Sequence, residues 1–472
     1  MSENQGPKRR KASAADEVLA ETEPPALFLE RLNDDVLIRC MVFLGIKDVR
    51  RLLLTAKHFV GLLSRLVCET AGGAARIPAA LVGVQNETPL MLLAFLHGQA
   101  ERSKKGQQAG LLQLAKWAWG DELHQAGPPG APALSAFRPA GFAVGSAAPP
   151  RPAGAPAPGG TIRVANIAAS EDGGTRECML VVADDCGGVW TLRGQYLRRE
   201  PLQRVLQLPH NVVRVATGGM SCAAVTSDGQ VYTWGLNDHG KLGVAGGADG
   251  ILPAPMQSSV PEAVVVVSLG GTHSVFVTNS GSAFTCGANA HGQLGVGDRF
   301  GRRVPTRVSA TKRVQAAAAG TNFTLLRAYD GTMLAAGLVK CLSRNNPALP
   351  PAPPDRFAPV YDGLFWCSSL SAYHESFGFV GGRDGQLRVS GCGYGTSMGA
   401  AAGRHYFERP ELAPTPAPVA HFQATHLRSV AVLTDGRAVF YGEHGQTTLP
   451  HGVVLEAAIT SYYRAIISRV DA

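Results

Sequence analysis

Residues 212–295 state one phrase twice. Val225-Thr226-Ser227-Asp228-Gly229 leads to Val231-Tyr232-Thr233-Trp234-Gly235 and then Asn237-Asp238-His239-Gly240-Lys241-Leu242-Gly243. Val277, Gly281, Gly287, Asn289, Gly292, Leu294 and Gly295 repeat those landmarks 52 residues later. One such unit cannot cover its own apolar face, so neighbouring units must cover each other. A period of this size therefore restricts the chain to a solenoid, a propeller or an array.

A glycine followed six residues later by another glycine recurs at Gly188/Gly194, Gly229/Gly235, Gly281/Gly287, Gly331/Gly337, Gly385/Gly391 and Gly436/Gly442. The steps between successive pairs are 41, 52, 50, 54 and 51 residues. Asp228, Asp330, Asp384 and Asp435 precede four of the first glycines, with Ser280 and Gly187 before the other two. Asp-Gly between two β-rich runs predicts a hairpin with positive φ at the glycine. Each unit reads as an apolar strand followed by that hairpin. A seventh half-unit, Val453 to Ala458 and Tyr463 to Ile467, supplies two strands more. If an N-terminal strand completes it, seven blades close into a ring without exposed sheet edges.

Gly-x-Asn-x-x-Gly-(Gln/Lys)-Leu-Gly after the hairpin, with Gly270 and His273 upstream, resembles the regulator-of-chromosome-condensation repeat. Residues 287–295 match it fully, and residues 235–243 differ at Lys241. The resemblance implies an all-β seven-bladed propeller over 161–472. It gives structural duties to Gly229, Gly235, Gly240, Gly243, Gly281, Gly287, Gly292 and Gly295, and a hydrogen bond within the blade to His273. WD repeats are disfavoured by the lack of a Trp-Asp dipeptide. Kelch repeats are disfavoured because Tyr232 and Trp234 stand only two residues apart.

The N-terminal part differs in texture. Residues 1–26 form a polar tail containing Pro7-Lys8-Arg9-Arg10-Lys11, which reads as a nuclear import address or a plain solvated run. In residues 28–67, Leu32, Val36, Leu37, Cys40, Met41 and Leu44 fall at helical spacing, with Asn33 as N-cap. Two further short helices follow Asp48. The pattern from Leu32 to Phe59 resembles an F-box, with Asn33 and Ile46 where that family commonly carries proline. The resemblance implies a docking surface for a Skp-type adaptor through Leu32, Val36, Leu37, Leu44, Asp48 and Val49. A plain three-helix cap is the other reading. Residues 68–126 read as a helical extension, in which Leu111, Leu112, Leu114, Ala115, Trp117 and Trp119 make a later helix. Residues 127–160 are a Pro/Gly/Ala linker with too few large apolar side chains for a core.

Bulk properties exclude little. The net charge is +8 from 44 basic and 36 acidic residues over 472, too mild to argue for nucleic acid. The nine cysteines form no Cys-x-x-Cys, so no zinc knuckle or redox pair is expected, and reduced thiols are. No secretory leader or long apolar run is evident, and a nuclear or cytosolic protein without a membrane role is expected.

Catalytic chemistry is not signalled. Residues 235–242 imitate a phosphate-binding loop, but Leu242 stands where Ser or Thr must reach magnesium. The turn aspartates sit on separate blades, so they cannot pair as acid and base. Arg299, Arg302, Arg303 and Arg307 make a basic loop, either solvated or facing an acidic partner. Some relatives of the repeat family sense ultraviolet light with tryptophan clusters. Only Trp190, Trp234 and Trp366 lie in the repeats here. No cofactor is expected.

These readings lead to a non-catalytic substrate-recognition subunit of a Skp–cullin–F-box ubiquitin ligase, with the propeller holding the target. Exchange-factor or chromatin-associated activity, directed at a small GTPase or histones, is the second reading. A scaffold without a ubiquitin link is the third.

Overall fold

The computed structural model describes residues 110–116, 138–140, 142, 162–171, 178–194, 201–309, 312–338, 355–361, 367–374, 376–381, 385–392, 406–425, 428–442, 445–449, 454–460 and 463–468. They form seven four-stranded antiparallel sheets. Blade 1 is Val164–Glu171, Cys178–Asp184, Val189–Gly194 and Gln203–Arg204. Blade 2 is Val212–Gly218, Ser221–Thr226, Val231–Leu236 and Ile251–Gln257, and blade 3 is Val264–Leu269, His273–Thr278, Ala283–Gly287 and Arg302–Arg307. Blade 4 is Val314–Ala319, Phe323–Ala328, Met333–Gly337 and Ala358–Tyr361. Blade 5 is Cys367–Tyr373, Ser376–Gly381, Leu387–Cys392 and Tyr406–Ala413, and blade 6 is Val419–Ala424, Ser429–Leu433, Ala438–Gly442 and Gly445–Thr448. Blade 7 takes Val454–Ile459 and Tyr463–Ser468 from the end of the ring, and Leu111–Lys116 and Arg138–Pro139 from its beginning.

The first strands of neighbouring blades touch in a closed cycle, so they line the axis. Between each pair of blades lies one apolar cluster. The second strands show why the upstream runs read as continuously apolar. On Ser221–Thr226, Cys222 and Ala224 face blade 1 while Ala223 and Val225 face blade 3. A strand buried on both faces has no polar side to alternate with.

Three sequence expectations change here. Leu111–Lys116 is a strand, not a helix. Its pairing with Tyr463–Ser468 aligns Leu112 with Ile467 and Ala115 with Arg464. Leu112 enters the cluster between blades 7 and 1, and Ala115 that between blades 6 and 7, so its two faces are both spent. The propeller accordingly starts at residue 110 rather than 161. Arg138–Pro139 pairs with the closing strand, and Phe142 sits edge-on to Trp190 at 5.2 Å, so part of the expected linker belongs to the ring.

The blade 1 hairpin is displaced by one residue. Positive φ falls on Gly187 (77°), whose N–H bonds Asp184 O, as Gly229 N–H bonds Thr226 O. The Gly187-Gly188 doublet allows both counts, and strand register selects the first. Arg193, not Gly194, then holds the position of Gly235.

Candidate interaction face

The turns between first and second strands gather at one end of the axis. They surround a recess of about 390 Å³ lined by Ser170, Glu171, Gly219, Lys241, Thr321 and Tyr373 among others. Hydrogen bonds tie these turns from blade to blade. Ser170 Oγ donates to Gly219 O (3.0 Å), Lys241 Nζ to Gly271 O (3.0 Å) and Thr272 Oγ1 to Thr321 O (3.1 Å). Thr321 N–H donates to His374 O (3.1 Å), and Tyr373 OH crosses from blade 5 to Glu171 O in blade 1 (3.1 Å). The result is a braced rim rather than an open pore. Glycines permit it: a methyl group on Gly218 would lie 1.9 Å from Leu269 O of the next blade.

The segments after the third strands of blades 2 and 3 belong to the same face. In each, an asparagine folds the loop onto itself. Asn237 Oδ1 accepts from Leu242 N–H (3.0 Å) while its Nδ2 donates to Ala248 O (2.8 Å). Asn289 repeats this with Leu294 N–H (2.9 Å) and Asp298 O (2.8 Å). Each loop then wedges against the following blade. Cys286 Sγ meets Lys241 O at 3.3 Å, and a methyl on Gly243 would lie 2.8 Å from Pro305. A methyl on Gly295 would strike the Phe357 ring at 2.2 Å.

The resemblance of residues 235–242 to a phosphate loop has a physical answer. The N–H groups of Gly240, Lys241, Leu242 and Gly243 are all bonded inside the loop. Lys241 is buried with its ammonium on a backbone carbonyl. The backbone is set by φ of 96°, 72° and 64° at Gly235, Gly240 and Gly243, and of 115°, 78° and 64° at Gly287, Gly292 and Gly295. Gly229 and Gly281 carry the hairpin φ of 83° and 79°.

His273 corrects its expectation. It bonds across the junction to blade 4, not within its blade, with Nε2 2.8 Å from Thr324 Oγ1. The Thr324 hydroxyl spends its proton on Gln293 O (2.7 Å), so His273 Nε2 must be the donor. Burial, reinforced by the Lys241 ammonium, pushes His273 down to about 3, so the ring is neutral.

Asp228 and Asp435 serve their own turns: Asp228 accepts from Thr226 Oγ1 and Asn211, and Asp435 from the N–H and guanidinium of Arg437. Three arginines of the basic loop are engaged. Arg302 pairs with Asp298, Arg303 reaches back to Asp249 (2.9 Å) and Gly247 O (2.7 Å) of blade 2, and Arg307 bonds Ser282. Cys178, Cys222 and Cys286 are buried free thiols; burial pushes Cys178 up to about 11 and raises the other two further. Asp184, Asp185 and Cys186 cluster at the blade 1 hairpin, where Asp184 accepts from the N–H groups of Cys186 and Gly188 and from the Trp190 indole. Leu32, Val36, Leu37, Leu44, Asp48 and Val49 lie outside the described residues, as do the basic run at 7–11 and Trp366. Among the described residues no helix is long and apolar enough to cross a membrane.

A polar device at the ring closure escaped the sequence reading. Asn166 of blade 1 donates to Glu456 of blade 7 (3.0 Å) and accepts from Val215 N–H of blade 2 (2.7 Å). Burial pushes the Glu456 carboxyl up to about 7, against the opposing pull of Asn166 and Arg214. Its only sequence signal is an acid in an otherwise apolar strand.

Residues 228–277 and 280–326 match the Regulator of chromosome condensation (RCC1) repeat, and residues 212–241 and 264–293 match a second profile of that repeat. The ultraviolet-B receptor UVR8 of Arabidopsis thaliana is 33% identical over 131 residues, covering 27% of this chain and 30% of that protein. The probable E3 ubiquitin-protein ligase HERC3 of Homo sapiens is 32% identical over 133 residues, covering 28% of this chain and 13% of that protein. The matched region thus spans a third or less of the length of these two relatives. The fold compares with yeast RCC1 (Prp20), seen in complex with Kap60, at a TM-score of 0.58 and 15% identity, covering 79% of this chain and 92% of that one. Human WBSCR16 gives 0.56 at 15% identity, covering 77% and 99%. The chain carries RCC1 repeats, set in a seven-bladed all-β propeller.

Proposed function

We propose that this protein is a non-catalytic interaction subunit whose propeller holds a protein partner on the rim around the axial recess. The observation that carries the reading is the bracing of that rim. Ser170, Lys241, Thr272 and Tyr373 spend their polar atoms on backbone carbonyls of other blades, which makes a fixed surface suited to recognition by shape. Residues 28–67 complete the assignment as the adaptor-docking module of a Skp–cullin–F-box ubiquitin ligase in the nucleus or cytoplasm. The support there is the spacing of Leu32, Val36, Leu37, Leu44, Asp48 and Val49. The chemistry of ubiquitin transfer then belongs to other subunits. Recovery of a purified Skp-type adaptor on the full chain tests this. Leu37→Asp and Leu44→Asp abolish recovery, and unchanged recovery rejects the ligase assignment.

The likeness to yeast RCC1 favours a second reading, in which the same rim acts on a small GTPase or on chromatin. A related structure is described with its binding to Gsp1p and histones. Accelerated nucleotide release from a Ran-type GTPase, measured with a fluorescent nucleotide, selects this reading.

A further inference from the structure

Among the described residues, the wedges that follow blades 2 and 3 have no counterpart after blade 1. Fourteen residues separate the third and fourth strands in blades 2 and 3, and eight separate them in blade 1. Those eight residues contain no asparagine and no glycine with which to build the loop. The seat they would fill is nevertheless formed. Strand register puts Trp234 and Pro255 of blade 2 where Cys286 and Pro305 of blade 3 receive the preceding wedge. At the junction of blades 1 and 2 these residues line a groove of about 370 Å³.

The groove has a definite chemistry. Leu206 and Ile251 line it, each 57% exposed, which is unusual for large aliphatic side chains in an otherwise well-buried ring. Arg193 and Arg204 line the blade 1 side. Arg204 lies over the Trp190 ring (5.8 Å) and reaches His210 Nδ1 (3.5 Å), and among the described residues it meets no carboxylate. Its place over the ring holds the guanidinium, and no carboxylate among the described residues offsets its charge.

The geometry points to a peptide-binding site between blades 1 and 2 that accepts an extended acidic segment of a partner protein, seated where the chain's own wedge sits at the next two junctions. Aliphatic side chains of the segment cover Leu206 and Ile251, and its carboxylates meet Arg204. A peptide in this place repeats packing that the fold already uses twice. The site is separate from the axial rim and does not depend on which partner the rim holds.

Fluorescence anisotropy on the full chain tests it, with a labelled octapeptide of alternating glutamate and leucine and a counterpart carrying lysine for glutamate. The glutamate peptide binds at least about tenfold more tightly than the lysine peptide. Arg204→Glu reverses that preference, a result that loss of structure cannot produce. Ile251→Asp weakens the glutamate peptide about tenfold, while Leu412→Ser on blade 5 changes nothing. Failure of both peptides to saturate, or a preference untouched by Arg204→Glu, overturns the proposal. So does peptide binding that appears only after residues 195–200 are replaced by glycine and serine, because the seat then belongs to that connection. A homodimer dissolved by Arg204→Glu, with no peptide binding, assigns the groove to a second copy and also overturns it. Adaptor recovery and nucleotide release are unaffected by Arg204→Glu, so failure here is distinguishable from failure of the rim assignment.

Discussion

Blades 2 and 3 grip their successors with backbone, whereas blade 1 grips the closing blade and blade 2 with a side chain. After blades 2 and 3, a glycine-rich loop held by one asparagine is driven into the next blade. Around the closure a single amide, Asn166, spans three blades between Glu456 and Val215. The first device needs a fixed string of residues and leaves a legible motif. The second needs three well-placed groups from distant parts of the chain and leaves none.

The comparison can be broken most severely at the closing strand. Leu112→Asp places a carboxylate between blades 7 and 1, where Leu112 is 3% exposed, and costs about 4 kcal/mol or more. The urea midpoint of the full chain reports it. Asn289→Ala strikes the other device, leaving Leu294 N–H and Asp298 O without their partner, and costs about 2–3 kcal/mol. Asn289→Asp keeps the acceptor for Leu294 N–H and recovers part of that loss in the same titration.

Glu456 at the closure and His273 at the junction of blades 3 and 4 respond to pH in opposite directions. Glu456 is raised from 4.5 to about 7, so its protonated form favours folding. Its contribution is full below about 4.5 and fades as pH rises through 7. His273 is lowered from 6.5 to about 3, so its neutral form favours folding. That contribution is full above about 6.5 and fades as pH falls. Glu456→Gln therefore stabilises the ring at pH 8 by roughly 1–3 kcal/mol and flattens the alkaline limb. His273→Gln flattens the acid limb instead. Melting curves between pH 5 and 8 separate the two. The smallest effect is expected at Arg303→Ala. The Arg303–Asp249 pair is 48% and 61% exposed, and its loss costs under about 1 kcal/mol in the same melts.

What the sequence disclosed follows from the same contrast. Asp-Gly hairpins are local, so the positive φ at Gly229, Gly281, Gly331, Gly385 and Gly436 could be placed by counting. The doublet Gly187-Gly188 defeated the count, because only cross-strand register tells the two glycines apart. Leu111, Leu112, Leu114 and Ala115 fit a helical face as well as a two-faced strand, and the partner that decides lies at the far end of the chain. His273 was found as a motif residue, but its partner stands one blade away. The groove between blades 1 and 2 could not be found by motif, since its signal is a missing motif beside a seat that only register reveals.

Ring closure also sets a timetable for synthesis. Leu111 and Ser468, joined through a side-chain hydrogen bond, stand 357 residues apart. At about 5–20 residues per second, the ribosome needs roughly 20–70 s to make the span between them. Throughout that interval Leu111–Lys116 lacks its longer partner Tyr463–Ser468 and has only the two-residue strand Arg138–Pro139 to pair with. Closure of the ring needs the meeting of one of its earliest segments with its latest. A chain stopped before Tyr463 lacks the strand that pairs with Leu111–Lys116, so its ring cannot close.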